Sequence, residues 1–576
     1  QPAPAAAAAS QHNVVAPAVW DIEALEAKDG IRFSWNNWPS TPLEQTRAVV
    51  PMGCIYQPLK PIEGMPAAVE YDPVHCKSCA AILNPFAHVD FLSKLWVCPF
   101  CITRNHFPPH YAEHISEQNL PAELIPSFST LEYELPQRQA GPPIFVFCLD
   151  TCLPEDELEE LKDSIQQTLN LLPDEALVGF VTFGTMVHVH ELGFAECPKS
   201  HVFRGNKDFT AQQVQDMLGL VPTRQQPAAT TSIQPGQQHP PAAARFLLPL
   251  GECGFTLDNI LRDLQRDPWP VNAGHRPQRA TGVALSVSVG LLESTFRGQG
   301  ARIMLFVGGP ATTGPGAIVN RERTEDIRSH TDLHKGNAPL SAKAIEHYTG
   351  LAERCVAAAH VVDVFACALD QSGVMEMKVC VAKTGGVIVL ADSFGQSVFK
   401  ESFRRMFSRF SDEAADSDRD HLTMAFAATL EVLTSREFKV SGAIGPVAAQ
   451  KKTNSAVPAK NISETEIGVR TNDFVLCEST FIVGGTNTWS LGGLDPQTAV
   501  AIYFDVTNQG AIAPGKGRYL QLITRYQHSS GKYRTRVTTI CGPWTTDPND
   551  VESLKRGFDQ EAAAVLITRL AVFRSE

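Results

Sequence analysis

The 576-residue sequence has no run of about 18 to 20 uninterrupted apolar residues, the length that a bilayer-spanning helix needs. It also has no excess of positive charge, because 49 Lys and Arg against 62 Asp and Glu give a formal net charge of -13. Its first ten residues, QPAPAAAAAS, lack the charged start and Leu-rich core of a secretory signal. These absences predict a cytosolic protein and disfavour bulk binding of nucleic acid.

Catalytic motifs are missing as well. The sequence contains no H-E-x-x-H, no G-x-S-x-G and no G-x4-G-K-[ST], so nothing predicts a zinc peptidase, a serine hydrolase or a P-loop nucleotidase. The glycine-rich run 308–316 resembles a phosphate cradle, but Pro310 and Pro315 lack the N–H groups that such a loop needs. We interpret this run as a structural turn, nominate no catalytic or cofactor-binding residue, and expect that the chain is not an enzyme.

Four of the fourteen cysteines form two C-x2-C pairs separated by eighteen residues: Cys76, Cys79, Cys98 and Cys101. This spacing is typical of a structural zinc site, because each tight turn aims two sulfurs at one ion and two turns complete a tetrahedron. Four thiolates leave no open position for water, so we predict a Zn2+ ion that stabilises the fold and does no catalysis. His75 and His88 lie nearby, but four cysteines make them unnecessary as ligands. The other ten cysteines are scattered, which indicates buried thiols in a reducing compartment.

Apolar runs alternate with helical patterns through the middle of the chain. Five runs read as buried strands: 144–149, 177–183, 303–307, 361–367 and 387–391. Residues 156–172 carry apolar positions at helical spacing behind an acidic first turn. Buried strands that alternate with helices predict a doubly wound, mostly parallel sheet. Residues 222–245, rich in Pro, Gln and Ala, predict a disordered surface loop within this region.

After about residue 400 the pattern changes to long aromatic and β-branched segments with partial alternation. Those segments are 421–433, 473–483, 498–506, 518–528 and 533–540. They predict an antiparallel sandwich or barrel. The runs GIRFSWNNWP (30–39) and RAVVPMGCIYQPL (47–59) also read as strands, so we expect the N-terminal region to complete this β domain.

The last residues predict a helix that Asp559 caps. Its apolar stripe consists of Ala562, Val565, Leu566, Leu570 and Phe573. The first residue is Gln rather than Met, and the helical pattern continues up to Glu576. We therefore expect the sequence to be a piece of a longer protein in which more helices follow.

Asp150 begins the segment D-T-C-L-P at the end of the first predicted strand, where a doubly wound sheet places its ligand. This segment resembles the D-x-S-x-S metal loop of von Willebrand A domains, with Cys152 and Pro154 in place of both serines. Thr281 matches the threonine ligand of that fold, but no aspartate follows the third predicted strand. Because a hard cation requires oxygen ligands, we expect no metal here and interpret Asp150 as a cap on the strand end.

Seven features, read together, resemble one protein family. They are RFSWNNWP (32–39), VVPMGCIYQPL (49–59), the four cysteines, VFRGNKD (202–208), LQRDPWPV (264–271), RPQRATGVALS (276–286) and MLFVGGPATTGPG (304–316). The chain resembles the GTPase-activating subunit of the inner COPII vesicle coat, the Sec twenty-three family, co-linearly from about residue 20 to 576.

The resemblance implies a multidomain fold that combines α/β and β domains. We expect the N-terminal part of a β-sandwich or barrel in 1–45, a four-cysteine zinc finger in 46–120 and a von Willebrand A-like doubly wound trunk in 121–400. The rest of the barrel is expected in 401–548 and the start of a helical domain in 549–576. In the family, a gelsolin-like domain comes after these.

The resemblance also implies a role in ER-to-Golgi vesicle transport through partners. These are a cargo-adaptor subunit in a heterodimer, a membrane-bound Sar-type small GTPase and the outer-coat cage subunits, without nucleic acid. The implied location is the cytoplasm, peripheral on the endoplasmic reticulum membrane and on COPII vesicles. The family activates GTP hydrolysis through an arginine finger in its gelsolin-like domain. No arginine of this chain matches that finger, so we expect weak activation or none.

Two other interpretations stay open. The cargo-adaptor paralogue shares the zinc finger and trunk, although RFSWNNWP and a zinc motif that begins only 75 residues in are typical of the activating subunit. A zinc ribbon beside a von Willebrand A-like domain also occurs in nucleic-acid machines, where Lys77, Lys94 and Arg104 would contact phosphates. Three scattered basic residues are more typical of a solvated face, and steep salt dependence of duplex binding would distinguish the two.

Overall fold

The computed structural model describes residues 14, 16–17, 19–194, 197–220, 243–410, 418–450, 485–508, 510, 512–545, 547 and 550–575. The helices in chain order are α1 (Ile22–Asp29), α2 (Pro42–Arg47), α3 (Pro109–His114), α4 (Glu155–Leu169), α5 (Ala211–Leu218), α6 (Leu250–Asp263), α7 (Thr281–Thr295), α8 (His330–His334), α9 (Pro339–Ala358), α10 (Val374–Thr384), α11 (Ser397–Met406), α12 (Val551–Arg556) and α13 (Gln560–Ser575). Within the described residues, none of these helices has the length and apolar character needed to span a bilayer.

The strands fall into three groups along the chain. The N-terminal and zinc-module strands are β1 (Ile31–Phe33), β2 (Trp38–Pro39), β3 (Gly53–Tyr56), β4 (His88–Asp90), β5 (Leu95–Val97) and β6 (Arg104–His106). The middle strands are β7 (Thr130–Gln139), β8 (Ile144–Asp150), β9 (Leu177–Phe183), β10 (Met186–His190), β11 (Ser200–Arg204), β12 (Leu248–Pro249), β13 (Ala301–Val307), β14 (His360–Cys367) and β15 (Ile388–Ala391). The late strands are β16 (Ala425–Thr434), β17 (Phe438–Ile444), β18 (Ala448–Ala449), β19 (Thr488–Leu494), β20 (Val500–Val506), β21 (Arg518–His528), β22 (Lys532–Gly542) and β23 (Trp544–Thr545).

The trunk is built on a sheet with the strand order β11-β10-β9-β8-β13-β14-β15. The five strands from β9 to β15 run parallel, and β10 and β11 continue the sheet antiparallel. Helices α5, α7, α9 and α10 cover one face and α4, α6 and α11 the other, which buries two apolar layers. The predicted doubly wound, mostly parallel sheet is therefore confirmed, because strands buried on both faces are continuous apolar runs.

Two segments of the trunk do not match the sequence prediction in full. They are the strands β10 and β11 and the predicted surface loop. Strands β10 and β11 were not predicted, because polar residues alternate with apolar ones there and no long apolar run marks them. Residues 222–242 of the predicted surface loop 222–245 lie outside the described residues. The loop prediction is wrong for its last residues, because Ala243–Arg245 form a short 3-10 helix and Ala243 is buried in the trunk core.

The late strands form a β-sandwich with the N-terminal ones. A six-stranded sheet, β18-β19-β16-β21-β22-β7, packs against a four-stranded sheet, β1-β3-β20-β17, around one apolar core. Strand β3 pairs with β20 through Cys54 and Ile502, so the N-terminal region completes the β domain as expected. Strand β7 was not predicted, yet it pairs with β22 at the edge of the larger sheet. The predicted segment 473–483 lies outside the described residues.

The final helix α13 lies on the outer face of the four-stranded sheet. Asp559 caps it, because its carboxylate accepts two main-chain N–H groups of the first turn. Leu566 is fully buried, and the Tyr503 hydroxyl donates to its carbonyl oxygen at 2.8 Å. Val565 was expected in the apolar stripe, but it is 41% exposed because the sheet covers only the neighbouring face of the helix.

Candidate metal centre and the mouth of the trunk sheet

The two cysteine pairs lie in tight knuckles of the same construction. In the first knuckle, the Ala80 N–H donates to the Cys76 carbonyl oxygen at 2.9 Å. In the second, the Ile102 N–H donates to the Cys98 carbonyl oxygen at 2.9 Å. Ala80 and Ile102 both have a φ of 60°, the left-handed conformation that turns the chain back within one residue. Each knuckle thereby presents two sulfurs on its inner side.

The knuckles bring the four predicted cysteines together. Their sulfurs all lie within 4.8 Å of one another, with 3.5 Å between those of Cys76 and Cys101 and between those of Cys79 and Cys98. A tetrahedral site with Zn–S bonds of about 2.3 Å requires sulfur separations of about 3.8 Å. The cluster therefore fits a structural zinc ion, and no other group of this kind occurs among the described residues.

Polar neighbours of the sulfurs fit thiolates. The Asn105 amide nitrogen lies 3.5 Å from the Cys76 sulfur, and the Thr103 hydroxyl lies 3.2 Å from the Cys101 sulfur. The Asn105 amide donates to its sulfur, and the Thr103 hydroxyl would donate to the Cys101 sulfur once that thiol is deprotonated, which is the usual role of the groups that surround metal ligands. The His75 ring nitrogen Nδ1 lies 3.0 Å from the Ala80 carbonyl oxygen instead of joining the sulfur cluster.

A buried glutamine fixes the zinc module to the sandwich. The Ile82 N–H donates to Oε1 of Gln521 at 2.7 Å, and Nε2 of Gln521 donates back to the Ile82 carbonyl oxygen at 2.9 Å. The same Nε2 also donates to the Thr539 hydroxyl at 2.9 Å. Trp96 packs in one apolar cluster with residues of the larger sandwich sheet, among them Ile523. The module and the sandwich thus share a core.

The three basic residues near the cysteines have different surroundings. The Lys94 ammonium donates to the Ile115 carbonyl oxygen at 2.7 Å, so it satisfies the main chain of its own module. Lys77 and Arg104 are exposed. This arrangement agrees with the interpretation of a solvated face.

Asp150 lies fully buried at the end of β8, where the sequence resembles a metal loop. Its carboxylate accepts the Cys152 N–H at 2.8 Å and the Gly308 N–H at 2.9 Å. It also accepts Nε of Arg279 at 2.6 Å. The role of Asp150 as a cap on the strand end is confirmed, and the carboxylate has in addition a cationic partner that the sequence patterns did not reveal.

Arg279 fills the mouth of the trunk sheet. Its side chain is 4% exposed, and its terminal nitrogens donate to the carbonyl oxygens of Pro310 at 3.2 Å and Cys152 at 3.4 Å. Burial raises the pKa of the Cys152 thiol, which keeps it a neutral neighbour of this ion pair. A guanidinium therefore stands beside the carboxylate at the position where a metal loop would hold its cation.

The glycine-rich run closes over this ion pair. A Cβ on Gly308 would lie 2.0 Å from a methyl group of Leu153, and a Cβ on Gly309 would lie 2.6 Å from Nη1 of Arg279. The glycines are required because the side chains of the mouth pack against their backbone. The interpretation of residues 308–316 as a structural turn is confirmed.

Three family models match successive parts of the chain. The Sec23/Sec24 zinc finger matches residues 73–111, the Sec23/Sec24 trunk domain residues 140–407 and the Sec23/Sec24 beta-sandwich domain residues 425–545. The chain belongs to the Sec23/Sec24 family. These models describe Sec23 and Sec24 alike, so they confirm the family without choosing between its two branches.

A solved structure of the COPII coat shares the fold. The human COPII-coat protein Sec24c is 18% identical with a TM-score of 0.66, over 94% of this chain and 64% of that one. The match thus spans 64% of the length of the solved Sec24c chain. A von Willebrand factor type A protein from Catenulispora acidiphila matches at 11% identity with a TM-score of 0.36, over 75% of this chain and 71% of that one.

Proposed function

We propose that this Sec23/Sec24 protein is an inner-coat component of COPII vesicles, which carry cargo from the endoplasmic reticulum to the Golgi. The observation that carries the proposal is the co-linear match of zinc finger, trunk and β-sandwich over residues 73–545. The mouth of the trunk supports it, because the Arg279 side chain fills the place where related sheets hold a ligand. The protein then acts through its surfaces.

The zinc ion belongs to this proposal as a structural element. We assign its four ligands to the thiolates of the clustered cysteines: Cys76, Cys79, Cys98 and Cys101. Their geometry and the zinc-finger match at residues 73–111 support the assignment. The bound ion would hold the module against the sandwich and would take no part in a reaction, because four thiolates complete its coordination.

Within the family, the segment RFSWNNWP (32–39) favours the GTPase-activating branch. The segment ties the N-terminal region to the last two helices: Nε of Arg32 donates to Asp559 at 2.5 Å, and the Asn36 N–H donates to the Gly557 carbonyl oxygen at 2.6 Å. Trp38 is buried in the sandwich core. On this assignment the chain pairs with a cargo-adaptor subunit, binds a Sar-type small GTPase and the outer-coat cage subunits, and works in the cytoplasm on the endoplasmic reticulum membrane.

Binding to the GTPase tests this branch directly. An immobilised Sar-type GTPase, loaded with a non-hydrolysable GTP analogue or with GDP, is incubated with the purified chain. We expect retention on the GTP-analogue form and little on the GDP form. Equal retention on both forms, or none on either, would contradict the activating branch.

The cargo-adaptor paralogue is the second candidate, because the solved Sec24c chain is a COPII-coat protein that shares the fold. An adaptor alone is not expected to bind the GTPase in a nucleotide-dependent way, so the same experiment separates the two branches. Single-turnover GTP hydrolysis adds a further measurement. Since no arginine of the chain matches the finger of the family, we expect little stimulation, and full stimulation would contradict that expectation.

A further inference from the structure

The two edges of the trunk sheet have different chemistry. Strand β11 at one edge carries His201 and Arg204, and Lys199 directly precedes it. Charged side chains are a usual protection of a sheet edge against pairing with another chain. Strand β15 at the other edge has the sequence IVLA, with no charge and no proline, and it pairs with β14 without a bulge. It is an unprotected edge.

The outer main chain of β15 is available for pairing. The Val364 N–H donates to the Val387 carbonyl oxygen at 2.9 Å, and the Ala368 N–H donates to the Ala391 carbonyl oxygen at 3.0 Å. Because alternate residues of a parallel strand face its neighbour, the N–H and C=O groups of Ile388 and Leu390 point away from β14. Within the described part of the chain, no hydrogen bond reaches these groups.

An apolar groove of about 590 Å³ lies beside this edge. Its apolar lining includes Leu333, Val374, Met375 and Leu390. The Leu390 side chain is 62% exposed and that of Met375 is 43% exposed. The volume is in the range of sites that enclose a ligand side chain or a small molecule.

The rim of the groove is negatively charged. Asp370 and Asp392 line it, both are exposed, and no salt bridge within the described residues pairs with either carboxylate. Arg328 also lines the groove, but Glu376 neutralises it at 2.7 Å. His330 is the other ionisable residue of the lining. The carboxylates therefore favour a cationic occupant.

We propose that β15 and this groove bind an extended peptide segment of a partner protein, which adds a strand to the trunk sheet. Its main chain pairs with Ile388 and Leu390, a bulky apolar side chain enters the groove, and lysine or arginine residues face Asp370 and Asp392. Main-chain pairing provides affinity, while the groove and the carboxylates provide specificity. The lining of the groove shares no residue with the zinc cluster or with the ion pair at the trunk mouth, so the proposal does not depend on the coat assignment.

Labelled synthetic peptides test the proposal by fluorescence anisotropy on the whole chain. The probe is a short peptide in which lysine alternates with valine and phenylalanine, and one control replaces each lysine with glutamate. A second control carries N-methyl groups on the main chain, which block strand pairing. We expect the lysine peptide to bind at least about tenfold more tightly than either control. Equal affinity of the three peptides, or no binding of the lysine peptide at millimolar concentration, overturns the proposal.

Variants of the chain locate the site. Leu390→Pro removes an outward N–H without a loss in the β14 ladder, since proline is tolerated where the N–H of an edge strand faces solvent. We expect at least about tenfold weaker binding of the lysine peptide. The matched control is Val398→Lys on α11, which changes a side chain that is 56% exposed and lies outside the groove, and which leaves binding unchanged.

Charge reversal at the rim of the groove tests the same site if Leu390→Pro does not fold. The double variant Asp370→Lys with Asp392→Lys changes only exposed side chains, and it is expected to prefer the glutamate peptide over the lysine peptide. Hydrogen exchange at Ile388 and Leu390 is expected to slow when the lysine peptide binds the wild-type chain. An unchanged peptide preference in the double variant, or unchanged exchange at both amides, contradicts the site.

Discussion

The zinc module and the mouth of the trunk sheet each contain side chains that a neighbouring cation stabilises. The two regions differ in the source of that cation. At the zinc module, four sulfurs surround a position that fits a metal ion. At the trunk mouth, the buried Asp150 carboxylate faces a guanidinium from its own chain, that of Arg279. A module of few residues has too little core to fold alone and relies on a metal, whereas a sheet with two apolar layers accommodates a buried side chain as its cation.

Loss of one zinc ligand tests the first half of this comparison and has the largest expected effect. Cys98→Ser removes a thiolate from the cluster, and structural zinc contributes on the order of 10 kcal/mol to small modules. We expect loss of zinc from the purified protein and rapid proteolysis within residues 73–111, the part that matches the zinc finger. The matched control is Cys197→Ser, which changes an exposed cysteine outside the cluster. Full zinc content in Cys98→Ser would show that the cysteines do not hold the ion.

Removal of Arg279 tests the role of its guanidinium as the cation at the trunk mouth. Arg279→Ala leaves Asp150 buried without its cation, and breaking a buried ion pair from one side costs about 3 to 5 kcal/mol. Thermal unfolding of the trunk is expected at a clearly lower temperature. The control Arg323→Ala changes an exposed residue and is expected to unfold at the same temperature as the wild type. Added Mg2+ should not rescue the variant, because Cys152 and Pro154 provide no oxygen ligands from their side chains. Rescue by Mg2+ would mean that the mouth is still a metal site.

The sequence predicted the zinc centre because its ligands are local, two within each knuckle. It predicted the trunk strands because burial on both faces leaves continuous apolar runs. It did not predict Arg279 as the partner of Asp150, since 129 residues separate them and contact arises only when the sheet is assembled. The local signal was no more than an arginine just before the start of α7. Gln521 and β7 were missed for the same reason, because their partners are distant in the sequence.

A substitution at Gln521 tests the attachment of the zinc module to the sandwich, with a smaller expected loss of stability. Gln521→Leu keeps the volume but leaves the N–H and C=O groups of Ile82 without their partner, which costs about 2 to 3 kcal/mol. We expect the variant to unfold at a lower denaturant concentration, with its zinc content unchanged. Arg525→Leu, a change on the same strand at a partly exposed residue, serves as the comparison. If Gln521→Leu also lost its zinc, zinc binding would depend on the contact between the module and the sandwich and not on the four cysteines alone.

Acid probes strand β10 of the trunk, a part of the sheet away from the Asp150–Arg279 ion pair. Burial lowers the pKa of His190 to about 3, so the folded trunk keeps this ring neutral while the unfolded chain, with a pKa of 6.5, takes up a proton. Stability is therefore lost as the pH falls from 6.5 towards 3, by about 2 kcal/mol at pH 5. His190→Gln should lose less stability between pH 7 and pH 5 in denaturant titrations. An identical acid response in the variant would assign the loss to other groups.

Metal analysis of one sample decides whether the two regions really differ in their source of cation. The purified chain is dialysed against buffer that contains equal low concentrations of Zn2+ and Mg2+, freed of unbound ions and analysed by mass spectrometry of the elements. We predict one zinc per chain and no bound magnesium. A chain without zinc, or one that retains a stoichiometric magnesium ion, would contradict the account.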